Sequence, residues 1–252
     1  MARLADEVAV ITGGGAGIGR ATAELFALHG ARVAVADVDA EVAATAAKAI
    51  RQAGGDAVLV PLDVRDGRSV TAAFEEVERS LGPVTVLVNC AGGSRDDDSP
   101  VHTLTEDAFD ATVALDLRGT LLCCRAALGQ MRRVGRGSIV NLVSYHALGG
   151  DGPDHAYAAA KGGVISATRS MAARYATDGI RVNAIAPGIV LTDRVAGRIE
   201  RDRIDLAAVR ATHPYAVGVP DDVARIALFL ASPDSRMITG STLAADGGLS
   251  LY

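Results

Sequence analysis

The sequence predicts one α/β domain, a doubly wound parallel sheet with helices on both faces. Three observations carry this. Short, continuous, β-branched runs alternate with longer helical stretches, as strands covered on both sides require. A glycine-rich turn stands between the first such run and the first helix. No Pro/Ser-rich linker, repeat or low-complexity tract divides the 252 residues, a length that lets one domain bury a sizeable core.

The elements follow in order. "VAVIT" (8–12) is the first strand, and a helix is expected over about 17–29. "VAVA" (33–36) leads to a helix at 40–53, and "AVLV" (57–60) to one at 68–81. "VTVLVN" (84–89) precedes a long helix at 105–133, and "SIVNLV" (138–143) precedes one at 155–177. "RVNAIA" (181–186) is the sixth strand. Pro220 and Asp221 open a final helix over 220–232. "TLAA" (242–245) is a last short strand. The Arg-rich segment 189–219 breaks the rhythm after a strand end, where substrate lids belong.

Bulk properties exclude several classes. With 49% hydrophobic residues the chain is not disordered, and a net charge of -5 with no long basic run leaves nucleic acid without a footprint. Asp6 and Glu7 interrupt any leader, and no apolar run reaches the length of a membrane span. Cys90, Cys123 and Cys124 lack ligand spacing, so reduced thiols in a cytoplasmic protein are expected, and no metal. Only Lys48 and Lys161 are lysines; the other 23 basic residues are arginine. A retained lysine suits a place where a proton is shared, which Arg cannot do.

Gly13, Gly15, Gly17 and Gly19, with Ile18 among them, form a turn that lets a helix N-terminus approach a pyrophosphate. Asp37 ends the second strand, 18 residues after Gly19. It can accept both hydroxyls of an adenosine ribose and would repel a 2′-phosphate. Neither Ala36 nor Val38 beside it supplies a cation, so NAD is expected over NADP. Asp63, followed by Val64, ends the third strand; it suits either an adenine amino group or a helix N-cap or turn. Asn89, Ala91 and Gly92 stand at the end of the fourth strand, at the same sheet edge.

The stretch "SYHALGGDGPDHAYAAAK" (144–161) holds the reactive candidates. Tyr157 and Lys161 are four apart and share a helix face. Ser144 stands at the end of the preceding strand. A Ser/His/Asp hydrolase would want its serine on a G-x-S-x-G elbow, which "NLVSYHA" is not.

Together "TGGGAGIG", "NCAG", Ser144, "YAAAK", "RVNAIAPGIVLT" and "ADGG" resemble the short-chain dehydrogenase/reductase family over essentially the whole chain. The resemblance implies a Rossmann-type fold and hydride exchange between a secondary alcohol or ketone and a nicotinamide. Tyr157 would be the acid/base. Lys161 and the cationic nicotinamide would lower its pKa, Lys161 would hold the ribose, and Ser144 the substrate oxygen. Pro187, Gly188, Val190 and Thr192 match the segment that orients the carboxamide. The family commonly has Asn where this chain has Asp116, in a water relay to the lysine run mainly through the backbone carbonyl. The relay is expected to survive, with Asp116 accepting from a nearby donor or protonated.

Tyr145, His146 and Arg95 are candidate pocket residues, with pocket segments 93–96 and 145–151. Arg95 and His146 suggest a polar or anionic substrate group; pairing of Arg95 with Asp96–Asp98 is the alternative. Asp154 and His155 are expected to cap the helix. The resemblance also implies a homotetramer, with the 105–133 and 155–177 helices at its interfaces and the apolar C-terminus "LSLY" at a second. Two other readings remain: a 3-oxoacyl-carrier-protein reductase using NADPH, which Asp37 disfavours, and a non-catalytic NAD-binding protein.

Overall fold

In the computed structural model, residues 2–149, 152–203, 205–211 and 214–251 are described. The first strand, β1 (Val8–Thr12), is buried along its length. Ala9 and Ile11 face one layer of the core, and Val8 and Val10 the other. That two-sided burial is why the run is apolar throughout. α1 (Gly17–Leu28), β2 (Arg32–Asp37), α2 (Ala40–Gln52), β3 (Asp56–Pro61) and α3 (Gly67–Leu81) follow. Next come β4 (Val86–Asn89), α4 (Glu106–Thr112), α5 (Thr120–Val134), β5 (Gly137–Leu142) and α6 (His155–Tyr175). β6 (Ile180–Pro187), α7 (Asp193–Arg201), α8 (Leu206–Ala211), α9 (Pro220–Ala231) and β7 (Thr242–Ala245) complete the order.

All strands run parallel in the order β3-β2-β1-β4-β5-β6-β7. This is the expected Rossmann-type sheet. The chain winds outward from β1 to β3, then restarts at β4 on the other side. That switch opens a crevice at the carboxyl ends of the strands. α1, α2 and α9 cover one face, with Phe26 fully buried there. α3, α5 and α6 cover the other.

The expected helix over 105–133 is interrupted. Between α4 and α5 the chain takes wider π turns over Val113–Gly119, which break the 3.6-residue register. The interruption brings Asp116 to full burial and lets Gly119 close on Val64. Segment 189–219 leaves β6, makes an isolated bridge from Val190 to Gly218, and carries α7 and α8.

Candidate active site

The crevice begins at the glycine turn. Gly13 has φ +64°, and a Cβ there would lie 3.0 Å from the Ala91 backbone. A Cβ on Gly19 would run into the Gly13 carbonyl. Only glycine lets α1 start so close to the strand. Ala16 precedes α1, and no side chain caps its first N–H groups. An uncapped helix start behind a bare backbone turn fits a pyrophosphate.

Asp37 is already oriented. Its two carboxylate oxygens accept from Gly15 N at 3.0 Å and Asp39 N at 3.1 Å. The carboxylate is thereby fixed beside the turn, with lone pairs left for ribose hydroxyls. Val38 beside it is exposed. Asp63 differs from its expectation as an N-cap, because Asp66 caps α3. Arg65 grips both Asp63 oxygens, at 2.9 and 2.8 Å, in the turn that follows β3. That hydrogen-bonded pairing holds the Asp63 carboxyl below the usual carboxylate range.

Thr12, not singled out from the sequence, ties β1 to the β4 end. Its hydroxyl accepts from Cys90 N and Ala91 N, both at 3.1 Å. Asn89 turns inward, donating to Asn141 Oδ1 at 2.8 Å, and Asn141 donates to Thr168 at 2.9 Å. This buried chain fixes the ends of β4 and β5 against α6. Burial pushes the Cys90 and Cys124 thiols up to about 12 and the Cys123 thiol higher, so all three are inert at neutral pH. Among the described residues no group of three His, Cys, Asp or Glu is placed to hold a metal.

A cleft of about 410 Å³ collects Ser144, Tyr145, His146, Tyr157 and Lys161 with Ile18, Gly92, Pro187, Gly188, Val190 and Thr192. Lys161 lies under Tyr157, its Nζ 5.5 Å from the ring centroid. Two acceptors fix the ammonium: the Leu142 carbonyl at 3.0 Å and Asp116 Oδ1 at 3.0 Å. Asp116 Oδ1 also accepts from Gly93 N at 2.9 Å, as expected of a residue with donors nearby. Its other oxygen is buried with no partner, and its backbone carbonyl accepts from Thr120 Oγ1 at 3.1 Å.

The chain's own charges and its burial act on the Tyr157 phenol in opposite directions. Lys161 does pull the Tyr157 phenol down, as does a hydrogen bond from Ser144. Burial outweighs both, and the Asp116 carboxylate adds to it, so the phenol of the chain alone is raised. For Lys161 burial pulls down, but Asp116 and then Tyr157 outweigh it, so the ammonium is held above the ordinary lysine value. The chain alone therefore keeps the proton on Tyr157 at neutral pH, and a further cation beside the ring would favour its release.

Capping also differs. Asp154 precedes α6 but caps nothing with its side chain, and His155 Nδ1 accepts from Val101 N. Asp98 reaches across instead, accepting from Ala156 N at 3.2 Å and Tyr157 N at 2.8 Å. Arg95 lies apart from the Tyr157 cleft. It is paired with Asp97 in an exposed fork and lines a neighbouring groove under α7. Its expected pocket role gives way to surface pairing. Gly150 and Asp151, at the end of the expected 145–151 pocket segment, lie outside the described residues.

A family model described as enoyl-(acyl carrier protein) reductase matches residues 13–250. The cis-4-hydroxycyclohexanecarboxylate dehydrogenase of Sinomonas cyclohexanicum is 42% identical, covering 97% of each chain. The chain belongs to the short-chain dehydrogenase/reductase family. An uncharacterized oxidoreductase YxbG of Bacillus subtilis is 41% identical over 100% of this chain and 94% of its own. A putative short-chain dehydrogenase/reductase structure from Burkholderia xenovorans superposes with TM-score 0.92 at 34% identity, covering 100% and 99%. As a short-chain dehydrogenase/reductase the protein is an oxidoreductase of alcohols and ketones, and the family implies a nicotinamide dinucleotide. Among the described residues no helix is long and apolar enough to cross a membrane.

Proposed function

We propose that the protein is an NAD(H)-dependent dehydrogenase interconverting a secondary alcohol and a ketone. The observation that carries this is the buried Lys161 fixed beneath Tyr157, with Ser144 on the same cleft wall. Gly13–Gly19 and the start of α1 would hold the pyrophosphate, Asp37 the adenosine ribose, and Asp63 and Val64 the adenine side. Asn89, Ala91, Gly92, Pro187, Gly188, Val190 and Thr192 would line the nicotinamide half, and Lys161 would hold its ribose. When bound, the nicotinamide supplies hydride acceptance and donation at carbon.

The chain's own residues do the proton work. Ser144 donates to the substrate oxygen and holds it against the phenol. In the reductive direction Tyr157 gives its proton to the ketone oxygen; in the oxidative direction Tyr157 as phenolate takes it from the alcohol. Lys161 stabilises the phenolate as it forms, and the Asp116 carbonyl leads the proton toward water.

Asp37 favours NAD, and neither Ala36 nor Val38 beside it brings a cation for a 2′-phosphate. Use of NADP with equal kcat/KM would favour the carrier-protein reductase reading. We further place the enzyme in the cytoplasm as a homotetramer. The open small-residue face at Gly162 and exposed Phe109 and Leu121 support packing on symmetry mates. A monomer by light scattering would contradict that assembly.

Purified protein with NAD and a panel of secondary alcohols should raise NADH absorbance. Tyr157→Phe should lower kcat by at least about 10³-fold, from loss of acid/base catalysis. Full activity in that variant would sink the assignment.

A further inference from the structure

The cleft has three kinds of wall. Ser144 and Tyr157 address one oxygen. Val195, Ile199 and Val209 give an apolar middle. Toward the mouth, α7 turns two arginines inward, Arg194 and Arg198, four residues apart and so on one helix face. Arg194 is seated by backbone rather than by an acid. It donates to the Gly92 carbonyl at 3.2 Å, and its guanidinium lies against Gly93 Cα, where φ is +131° and no Cβ would fit. No carboxylate of the described residues lies within ion-pair distance of it.

Three of the nearby acids are paired with other arginines. Asp97 is held by Arg95, and Asp96 by Arg201. Asp202 is held by Arg201 at 3.0 Å and more loosely by Arg198 at 3.7 Å. Asp154 lines the cleft at the start of α6, where the helix dipole favours its charge. Arg198 also donates to Ser94 Oγ at 3.0 Å, which aims it across the mouth. A guanidinium with a fixed orientation, free donors and no counter-ion among the described residues matches the fork of a carboxylate.

Building on the dehydrogenase reading, we propose that the substrate is a compact hydroxy- or oxo-carboxylate. Its carboxylate is seated by Arg194 with Arg198, and its reacting oxygen by Ser144 and Tyr157. Arg194 here replaces Arg95, the arginine the sequence suggested.

Matched pairs test this: 2-butanol against 3-hydroxybutanoate, and cyclohexanol against 3-hydroxycyclohexanecarboxylate, with the phosphate ester of butane-1,3-diol as a third arm. The native enzyme should prefer the acid of each pair by at least about 10-fold in kcat/KM, the low end for a charge-assisted pair. Arg194→Gln should cut the acid-to-neutral ratio by roughly 10- to 100-fold, with Arg194→Lys between the two. Arg201→Ala, outside the cleft, should leave the ratio within about threefold. Calorimetry of cyclohexanecarboxylate, which has no hydroxyl to react, should show binding to the NAD-loaded enzyme that Arg194→Gln abolishes. Equal use of neutral and acid substrates would overturn the proposal, as would preference for the phosphate ester or equal loss on both pair members. Absence of turnover on every pair with NAD and NADP would sink the dehydrogenase reading, while the calorimetry would still decide the carboxylate seat.

Discussion

Asp116→Asn probes the feature that departs most from the family pattern. The native carboxylate lies 3.0 Å from the Lys161 ammonium, with neither side chain more than 5% exposed. At an effective dielectric of about 20, that separation corresponds to an attraction of about 5 kcal/mol. It offsets the burial that would otherwise pull Lys161 down. Asn keeps an oxygen for the Gly93 N–H but removes the charge. The Tyr157–Lys161 pair then sits beside one negative charge fewer, and it releases a proton at lower pH whichever member gives it up. Oxidation requires the phenolate, so the rising limb of its pH–kcat profile should move down by at least about one unit, or 1.4 kcal/mol. That is about a quarter of the bare attraction. Ketone reduction should fail at correspondingly lower pH. Stability carries the same sign. In the native protein the raised Lys161 favours folding below the ordinary lysine pKa, and this is lost only as pH rises through the raised value. In the variant only Tyr157 and Cys90 remain to oppose burial, so Lys161 falls from its native value and the stability that the native pair holds at neutral pH should shrink. The assays are steady-state oxidation over pH 6–11 and thermal melts over the same range. A limb that stays put or moves upward would refute the reasoning. A 100-fold gain in turnover would mean that the native carboxylate impairs the relay.

Two further outcomes are expected. Asp98→Ala removes both acceptors from Ala156 N and Tyr157 N; it should cost about 0.5–2 kcal/mol in urea unfolding and lower kcat by about 10-fold as Tyr157 loses its backbone anchor. Unchanged kcat with lowered stability would reduce Asp98 to an ordinary cap. Asp37→Ser combined with Val38→Arg should raise the NADP-to-NAD ratio of kcat/KM by at least about 100-fold, since a repelling charge becomes an attracting one. No change in that ratio would separate Asp37 from the ribose.

The strands, the glycine turn and the meeting of Ser144, Tyr157 and Lys161 in one cleft were legible because each is written locally. A two-sided strand is a continuous apolar run, a tight turn needs glycine, and Tyr157 and Lys161 share a helix face by spacing alone. What escaped depends on contacts far apart in sequence. Thr12 meets Ala91 across 79 positions, and Asp98 meets Tyr157 across 59. Nothing near Asp98 marks it as the cap of a helix that begins 57 residues later, and Asp154, the local candidate, was the natural choice. The π turns over Val113–Gly119 were hidden because the flanking segments keep helical composition on both sides. Arg95 lies within the expected pocket segment 93–96, yet Asp97 two positions away pairs with it at the surface.

The lysine bias gains a physical reason from these contacts. The chain uses arginine at 23 of 25 basic positions, including Arg181, whose half-buried guanidinium spreads its donors over four residues near α9 and β7. That is work for a planar fork. At Lys161 the demand is different. The cation is 4% exposed and must meet a single carbonyl, one carboxylate oxygen and the underside of a tyrosine ring. A compact ammonium satisfies three directions from one atom, whereas a guanidinium would leave donors unpaired in the dry interior. Lys161 can also pass a proton. The lysine retained here is thus the one whose geometry an arginine cannot reproduce, and Asp116 keeps it charged against the cost of burial.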